Sequence, residues 1–245
     1  MKPTQNLAPN SNNLLAFGAH PDDIEFGVGG VVAQHTRAGN CAHLVVCSQG
    51  EAGSYGTPEV RTREARGAAH ILRATLEFVE LDGDAHLEIK VAHTIRLAEI
   101  LRRVRPEIVL APSPEPNQHP DHSKLGQLVR DATRLARYGG IAELKDLPPV
   151  AVHQLWFYAL SLESEPRNIS PILFDVSPQE IIADWTAAME AHQSQTTARA
   201  YVQLQLTRAR LNGARAGVEY AVALFPNDPP ILASLTAANK AANSF

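Results

Sequence analysis

Leu14-Leu15-Ala16-Phe17-Gly18-Ala19-His20-Pro21-Asp22-Asp23 is the stretch that decides the fold. Its apolar run ends on glycine and reads as a short buried strand. The polar His-Pro-Asp-Asp that follows reads as a loop into a helix over residues 24–38, stopped at Gly39-Asn40. The alternation then recurs. Residues 43–47 read as a second strand, and Thr57-Pro58 opens a helix that ends near Arg73, with Thr57 as its cap. Residues 76–81 are a third strand, 91–104 a helix stopped by Arg105-Pro106, and 108–111 a fourth strand. After a Pro-rich loop over 112–120, Leu125, Leu128, Val129, Ala132, Leu135 and Ala136 mark the apolar stripe of another helix. Strands alternating with helices imply an α/β, Rossmann-like three-layer sandwich around a mostly parallel sheet. Beyond Gly139-Gly140 the pattern loosens into strands at 152–160 and 171–176 and helices at 178–192 and 197–217. These are expected to close over one end of the sheet as a small C-terminal cap. Residues 1–13, polar and Asn-rich, are expected to form a loose leader, and 14–245 a single domain.

With 245 residues the chain can bury one substantial core. A net charge of −4 argues against a nucleic-acid or anionic-membrane partner. No apolar stretch is long enough to span a bilayer, and the first residues lack the apolar segment of a secretory signal. Cys41 and Cys47 flank one strand too far apart to pair, which suits a reducing compartment. A cytoplasmic protein is expected.

Two short segments carry chemistry: His20-Pro21-Asp22-Asp23 after the first strand, and His119-Pro120-Asp121-His122 after the fourth. Loops at the carboxyl ends of parallel strands converge on one crevice, so segments about a hundred residues apart can meet there. Each offers imidazole and carboxylate, the donors of hydrolytic zinc sites, where three protein ligands leave one position open. Taken singly, each segment is also an ordinary helix start, with Asp22, Asp23 or Asp121 at the positive end of the helix. Gly27, Gly29 and Gly30 lack the spacing of a phosphate loop and point instead to close backbone packing.

The block Ala19-His20-Pro21-Asp22-Asp23-Ile24-Glu25 with Gly27-Val28-Gly29-Gly30, joined to His119-Pro120-Asp121-His122, resembles the PIG-L/LmbE-like deacetylase family. Gly56-Thr57-Pro58-Glu59-Val60-Arg61, Arg105-Pro106-Glu107-Ile108-Val109, Ala191-His192-Gln193-Ser194-Gln195 and the run 213–221 extend the resemblance over roughly residues 14–225. It implies a single zinc ion on His20, Asp23 and His122, with Asp22 as general base. His119 is implied as general acid or oxyanion stabiliser oriented by Asp121, and Arg61 as a substrate contact. His192 sits on the apolar face of its helix and reads as a core residue or a substrate contact. The implied reaction removes acetyl from an N-acetylglucosamine-type conjugate, a small-molecule substrate. The Asp-Asp-hydrophobe-Glu order resembles the bacillithiol-biosynthesis branch, which implies a GlcNAc–malate conjugate. That branch carries a basic residue before the second motif, where this chain has Gln118. Family members form homo-oligomers, hexamers among them. Hydrolysis of another amide or ester bond, a two-metal phosphoesterase and a non-catalytic sugar-binding homologue remain open.

Overall fold

The computed structural model describes residues 13–116, 119–197, 199–234 and 237. The expected leader, apart from Asn13, and Gln118 lie outside the described residues. In chain order the elements are β1 (Leu14–Gly18), α1 (Asp23–Arg37), β2 (Ala42–Val46), α2 (Pro58–Ile71), β3 (Thr75–Phe78), α3 (Val91–Val104), β4 (Ile108–Pro112) and α4 (Pro120–Leu135). Then come β5 (Gln154–Tyr158), β6 (Ile172–Asp175), α5 (Gln179–Glu190), α6 (Gln193–Thr196), α7 (Tyr201–Ala216) and β7 (Ala221–Pro226).

The strands form one seven-stranded sheet in the order β3-β2-β1-β4-β5-β7-β6. The first five run parallel, with Leu14 opposite Ala42 on one side and Ile108 on the other. β7 pairs antiparallel with both β5 and β6. Each strand feeds two cores because successive side chains point to opposite faces. Leu14, Ala16, Leu110, Trp156 and Tyr158 join one apolar layer with α1, α2, α5 and α7. Leu15, Phe17, Val109, Leu155 and Phe157 join the other with α3 and α4. The architecture is therefore the expected three-layer α/β sandwich.

One strand goes beyond the sequence reading. Ala221-Val222-Ala223-Leu224-Phe225-Pro226 is an unbroken apolar run, which suits a strand covered on both faces, yet period-two alternation cannot reveal it. It slots between β5 and β6, so the C-terminal third extends the sheet as well as covering part of it.

The glycines of α1 mark where two rings lie against its backbone. A Cβ on Gly27 would stand 2.3 Å from the Tyr158 ring, and one on Gly29 would stand 2.6 Å from that of Trp185. Both rings are anchored, since the Tyr158 hydroxyl donates to the Phe17 carbonyl at 2.7 Å and Trp185 Nε1 donates to that of Glu25 at 2.7 Å. Neither ring can retreat without losing that bond. Gly27→Ala is expected to destabilise the fold by roughly 1–3 kcal/mol through overpacking. Gly67→Ala, at a helix position where the added Cβ meets nothing within 4 Å, is expected to stabilise by about 0.5–1 kcal/mol. Denaturant midpoints of the two variants check both signs, and a Gly27→Ala midpoint at or above the parent's contradicts the packing account.

Among the described residues no helix is long and apolar enough to cross a membrane. Cys41 is exposed, Cys47 is buried, and neither is in a disulfide.

Candidate active site

The strand order reverses direction between β1 and β4, the switch point at which an open α/β sheet opens a crevice beyond its carboxyl edge. The loop after β1 brings His20, Asp22 and Asp23 to that point, and the start of α4 brings His119, Asp121 and His122. A cavity of about 370 Å³ opens there, within the usual range for small-molecule sites. His20, Asp22, Asp23, Arg61, His119 and His122 line it.

Asp23 anchors the first loop. One carboxylate oxygen accepts the amide N–H groups of Ala19 and His20, at 2.8 and 2.9 Å, and the other lies 3.1 Å from His122 Nε2. His20 Nδ1 stands 3.1 Å from the same His122 nitrogen and 3.5 Å from Asp23. The three donors thus face one another across a small gap. The flanking imidazoles hold Asp23 well below the usual carboxylate range, against the opposing effect of its burial. Burial disfavours charge on His20 too, but Asp23, Asp121 and Asp84 outweigh it and raise its pKa well above normal.

Asp22 is built differently. It occupies the N-cap position of α1, yet its side chain makes no capping bond, and its φ of 120° lies where a non-glycine residue is strained. The carboxylate instead lies 3.4 Å from Arg61 Nη2. Burial and the neighbouring charge of Asp23 push its pKa up to about 6, against the pull of His192, Arg61 and His20. Arg61 is 4 % exposed and spends its fork on the loops: Nη1 donates to the Gly50 carbonyl at 2.8 Å, Nη2 to that of Pro21 at 3.1 Å.

In the second segment His119 caps α4, its Nδ1 accepting the Asp121 amide N–H at 3.4 Å, and Pro120 takes the first turn. An accepting Nδ1 leaves the ring proton of neutral His119 on Nε2. Burial and the nearby His20 lower its pKa. The Asp121 carboxylate, expected to orient His119, turns elsewhere. Its Oδ2 accepts the Ala85 amide N–H at 2.7 Å, lies 3.3 Å from His20 Nε2, and stands 3.7 Å from His119 Nδ1. It is the Asp121 backbone, not its side chain, that contacts His119 within hydrogen-bond distance.

Asp84 was not singled out in the sequence. It follows β3 in the loop Leu81-Asp82-Gly83-Asp84, and its Oδ1 comes 3.0 Å from His20 Nε2 and 3.8 Å from His119 Nε2. The rule that flagged the loops after β1 and β4 applies equally to the loop after β3, so the signal was available. Asp84 and Asp121 together hold the far nitrogen of His20, the way carboxylates commonly orient a metal-binding imidazole. Among the described residues two groups bring metal-ligand types together: His20, Asp23 and His122, and, sharing His20, the set His20, Asp84, His119 and Asp121.

His192 is 1 % exposed and is not part of the cavity wall. Its Nε2 lies 3.4 Å from a Glu25 oxygen, and its ring lies beside that of Phe26. His192 is thus buried behind the cavity beside Glu25 and Phe26. Ser194, next along, ties α2 to α6 by donating to both oxygens of Glu64, at 2.9 and 2.6 Å.

Comparison with known proteins finds deacetylases and a hydratase. The family model described as PIG-L, GlcNAc-PI de-N-acetylase, matches residues 15–133. The 4-oxalmesaconate hydratase of Pseudomonas putida is 30 % identical over 161 residues, 60 % of this chain, and the chain spans 62 % of that protein's length. A probable N-acetyl-α-D-glucosaminyl L-malate deacetylase 2 of Bacillus anthracis is 26 % identical over 199 residues, 76 % of this chain and 82 % of that one. The crystal structure of the conserved protein TT1542 from Thermus thermophilus superposes with a TM-score of 0.80 at 31 % identity, covering 91 % of this chain and 97 % of that one.

Proposed function

Because the chain belongs to the PIG-L family, we propose that it is a zinc-dependent N-deacetylase that releases acetate from the acetamide of an N-acetylglucosamine-type conjugate. The observation that carries this reading is the donor set in which His20 Nδ1 and His122 Nε2 stand 3.1 Å apart, with Asp23 Oδ1 3.1 Å from His122 Nε2 and Asp23 Oδ2 3.5 Å from His20 Nδ1. Ligands about 2.0–2.1 Å from a tetrahedral zinc lie about 3.3 Å from one another. The chemistry of the set fits as well, being two imidazoles and one carboxylate with a cavity on the remaining side.

Zinc held by these residues would supply Lewis-acid polarisation of the acetamide carbonyl and acidify a water molecule. Asp22 is the base. Its neighbour's carboxylate is committed to backbone amides and His122, whereas Asp22 keeps an oxygen for the cavity, on a backbone held in a strained conformation. It takes the proton from the attacking water. With its ring proton on Nε2, His119 donates to the carbonyl oxygen as charge develops there, or to the departing amine. Asp121 and Asp84 fix the tilt of His20. Arg61 braces the loop that carries the base, with its terminal nitrogens on the Gly50 and Pro21 carbonyls at the cavity wall.

Zinc-loaded protein is expected to release acetate from N-acetylglucosamine conjugates and to stop when the metal is chelated. A second reading, hydration of a carboxylated double bond, has the similarity to the hydratase behind it. Among the described lining residues, however, Arg61 is the one arginine or lysine, and its terminal nitrogens are held by the Gly50 and Pro21 carbonyls, which leaves no guanidinium free for a polycarboxylate. Hydration of a carboxylated diene with no acetate from any acetylated sugar would overturn the deacetylase reading.

A further inference from the structure

The ionisable groups of the cavity belong to the loops after β1, β3 and β4 and to Arg61. Part of the remaining wall is apolar, with Phe26 from α1, Leu160 after β5, and Tyr201 and Leu204 from the first turn of α7, beside the uncharged polar groups of Ser161, Gln195 and Gln205. The rings of Phe26 and Tyr201 meet edge to face at 5.6 Å. Gln205 fastens this wall by donating to the Leu160 carbonyl at 2.9 Å. Leu204 remains 46 % exposed at the cavity, and Tyr201 is half-buried beside it. An aromatic and a leucine left open to water at a binding cavity are a surface waiting for an apolar face.

Charge points the same way. The one lining arginine has its two terminal nitrogens on the Gly50 and Pro21 carbonyls and against Asp22. Arg208, behind the wall, donates to the Ala159 carbonyl and pairs with Glu165 at 3.1 Å. Arg199, exposed before α7, donates to the Tyr201 hydroxyl and sets its guanidinium 5.5 Å from the centroid of that ring, which leaves Leu204 as the open apolar group. With Asp23 taken up by the metal, a dicarboxylate beyond the sugar would still face Asp22 and Asp84 and, among the described lining residues, no guanidinium free to pair with it.

We infer that the part of the substrate beyond the acetylated sugar is uncharged and lays an apolar face against Tyr201 and Leu204. This rests on the deacetylase reading and names its substrate class. It departs from the GlcNAc–malate expectation.

The test compares acetate release by the zinc-loaded full chain from phenyl β-N-acetylglucosaminide, the GlcNAc–malate conjugate and free N-acetylglucosamine. The expected kcat/KM for the phenyl glycoside exceeds both others by tenfold or more. Leu204→Glu, a change at an open position, is expected to erase that advantage through KM, with the thermal midpoint retained. Equal rates on all three substrates overturn the inference. So does a preference for the malate conjugate, and if Arg199→Gln abolishes that preference the carboxylates belong on the rim arginine. In both cases acetate is still released and the deacetylase reading stands. No acetate from any of the three removes that reading and the inference together.

Discussion

Asp22→Asn is expected to lower kcat by about 10²–10⁴-fold while leaving metal content and thermal midpoint close to the parent's. The size follows from what the other carboxylates of the site are doing. Asp23 accepts two backbone N–H groups and faces His122. Asp84 accepts the Ala52 amide N–H at 3.2 Å and faces His20, and Asp121 accepts that of Ala85. Only Asp22 combines a cavity position with a single long contact, 3.4 Å to Arg61. Asparagine is the right replacement because it keeps the shape and tolerates positive φ, which Asp22 requires at 120°. Alanine there would mix lost chemistry with added backbone strain. Steady-state acetate release with a parallel metal assay checks the prediction. An Asn variant within threefold of the parent would mean that the base is another group.

His122→Ala is expected to cost at least a hundredfold in zinc affinity, above the 10–100-fold typical of losing an outer-shell partner, and acetate release should fall with it. Unlike Asp23, His122 directs its side chain at partners within the site, with His20 at 3.1 Å and Asp23 at 3.1 Å. Its Nδ1 is buried with no hydrogen-bond partner among the described residues. The fold should therefore survive its removal. Asp23→Ala should lose zinc and stability together, because two buried amides lose their acceptor. Titration with zinc in the presence of a competing chelator, set beside thermal unfolding, separates the two variants. A His122→Ala protein that still binds one zinc with parental affinity would remove this residue from the metal site.

Much of this was legible in the chain because parallel sheets write their order plainly. The runs at Leu14, His43 and Ile108 alternate with helices whose stops, such as Gly39-Asn40 and Arg105-Pro106, are local and strong. The helix expected over 91–104 spans those residues and ends at the Arg-Pro stop. The two His/Asp segments were visible because a strand-end loop is where such a sheet collects chemistry. What stayed hidden depends on distant neighbours. β7 is apolar on both faces and shows no alternation. Asp84 sits among polar loop residues with nothing local to distinguish it from Asp82, which instead pairs with Lys90 and His93. The contact between Asp121 and His20 spans a hundred residues and depends on the register of β4 beside β1. The apolar part of the cavity wall draws on α1, the end of β5 and α7, segments with no common motif.

The proposed chemistry needs one ion between the two loops, and diffraction from zinc-soaked crystals at the zinc absorption edge tests for it directly. The predicted result is a single anomalous peak about 2.0–2.2 Å from His20 Nδ1, His122 Nε2 and one oxygen of Asp23. A peak lying instead among Asp84, His119 and Asp121, or no peak between the two loops, would contradict it.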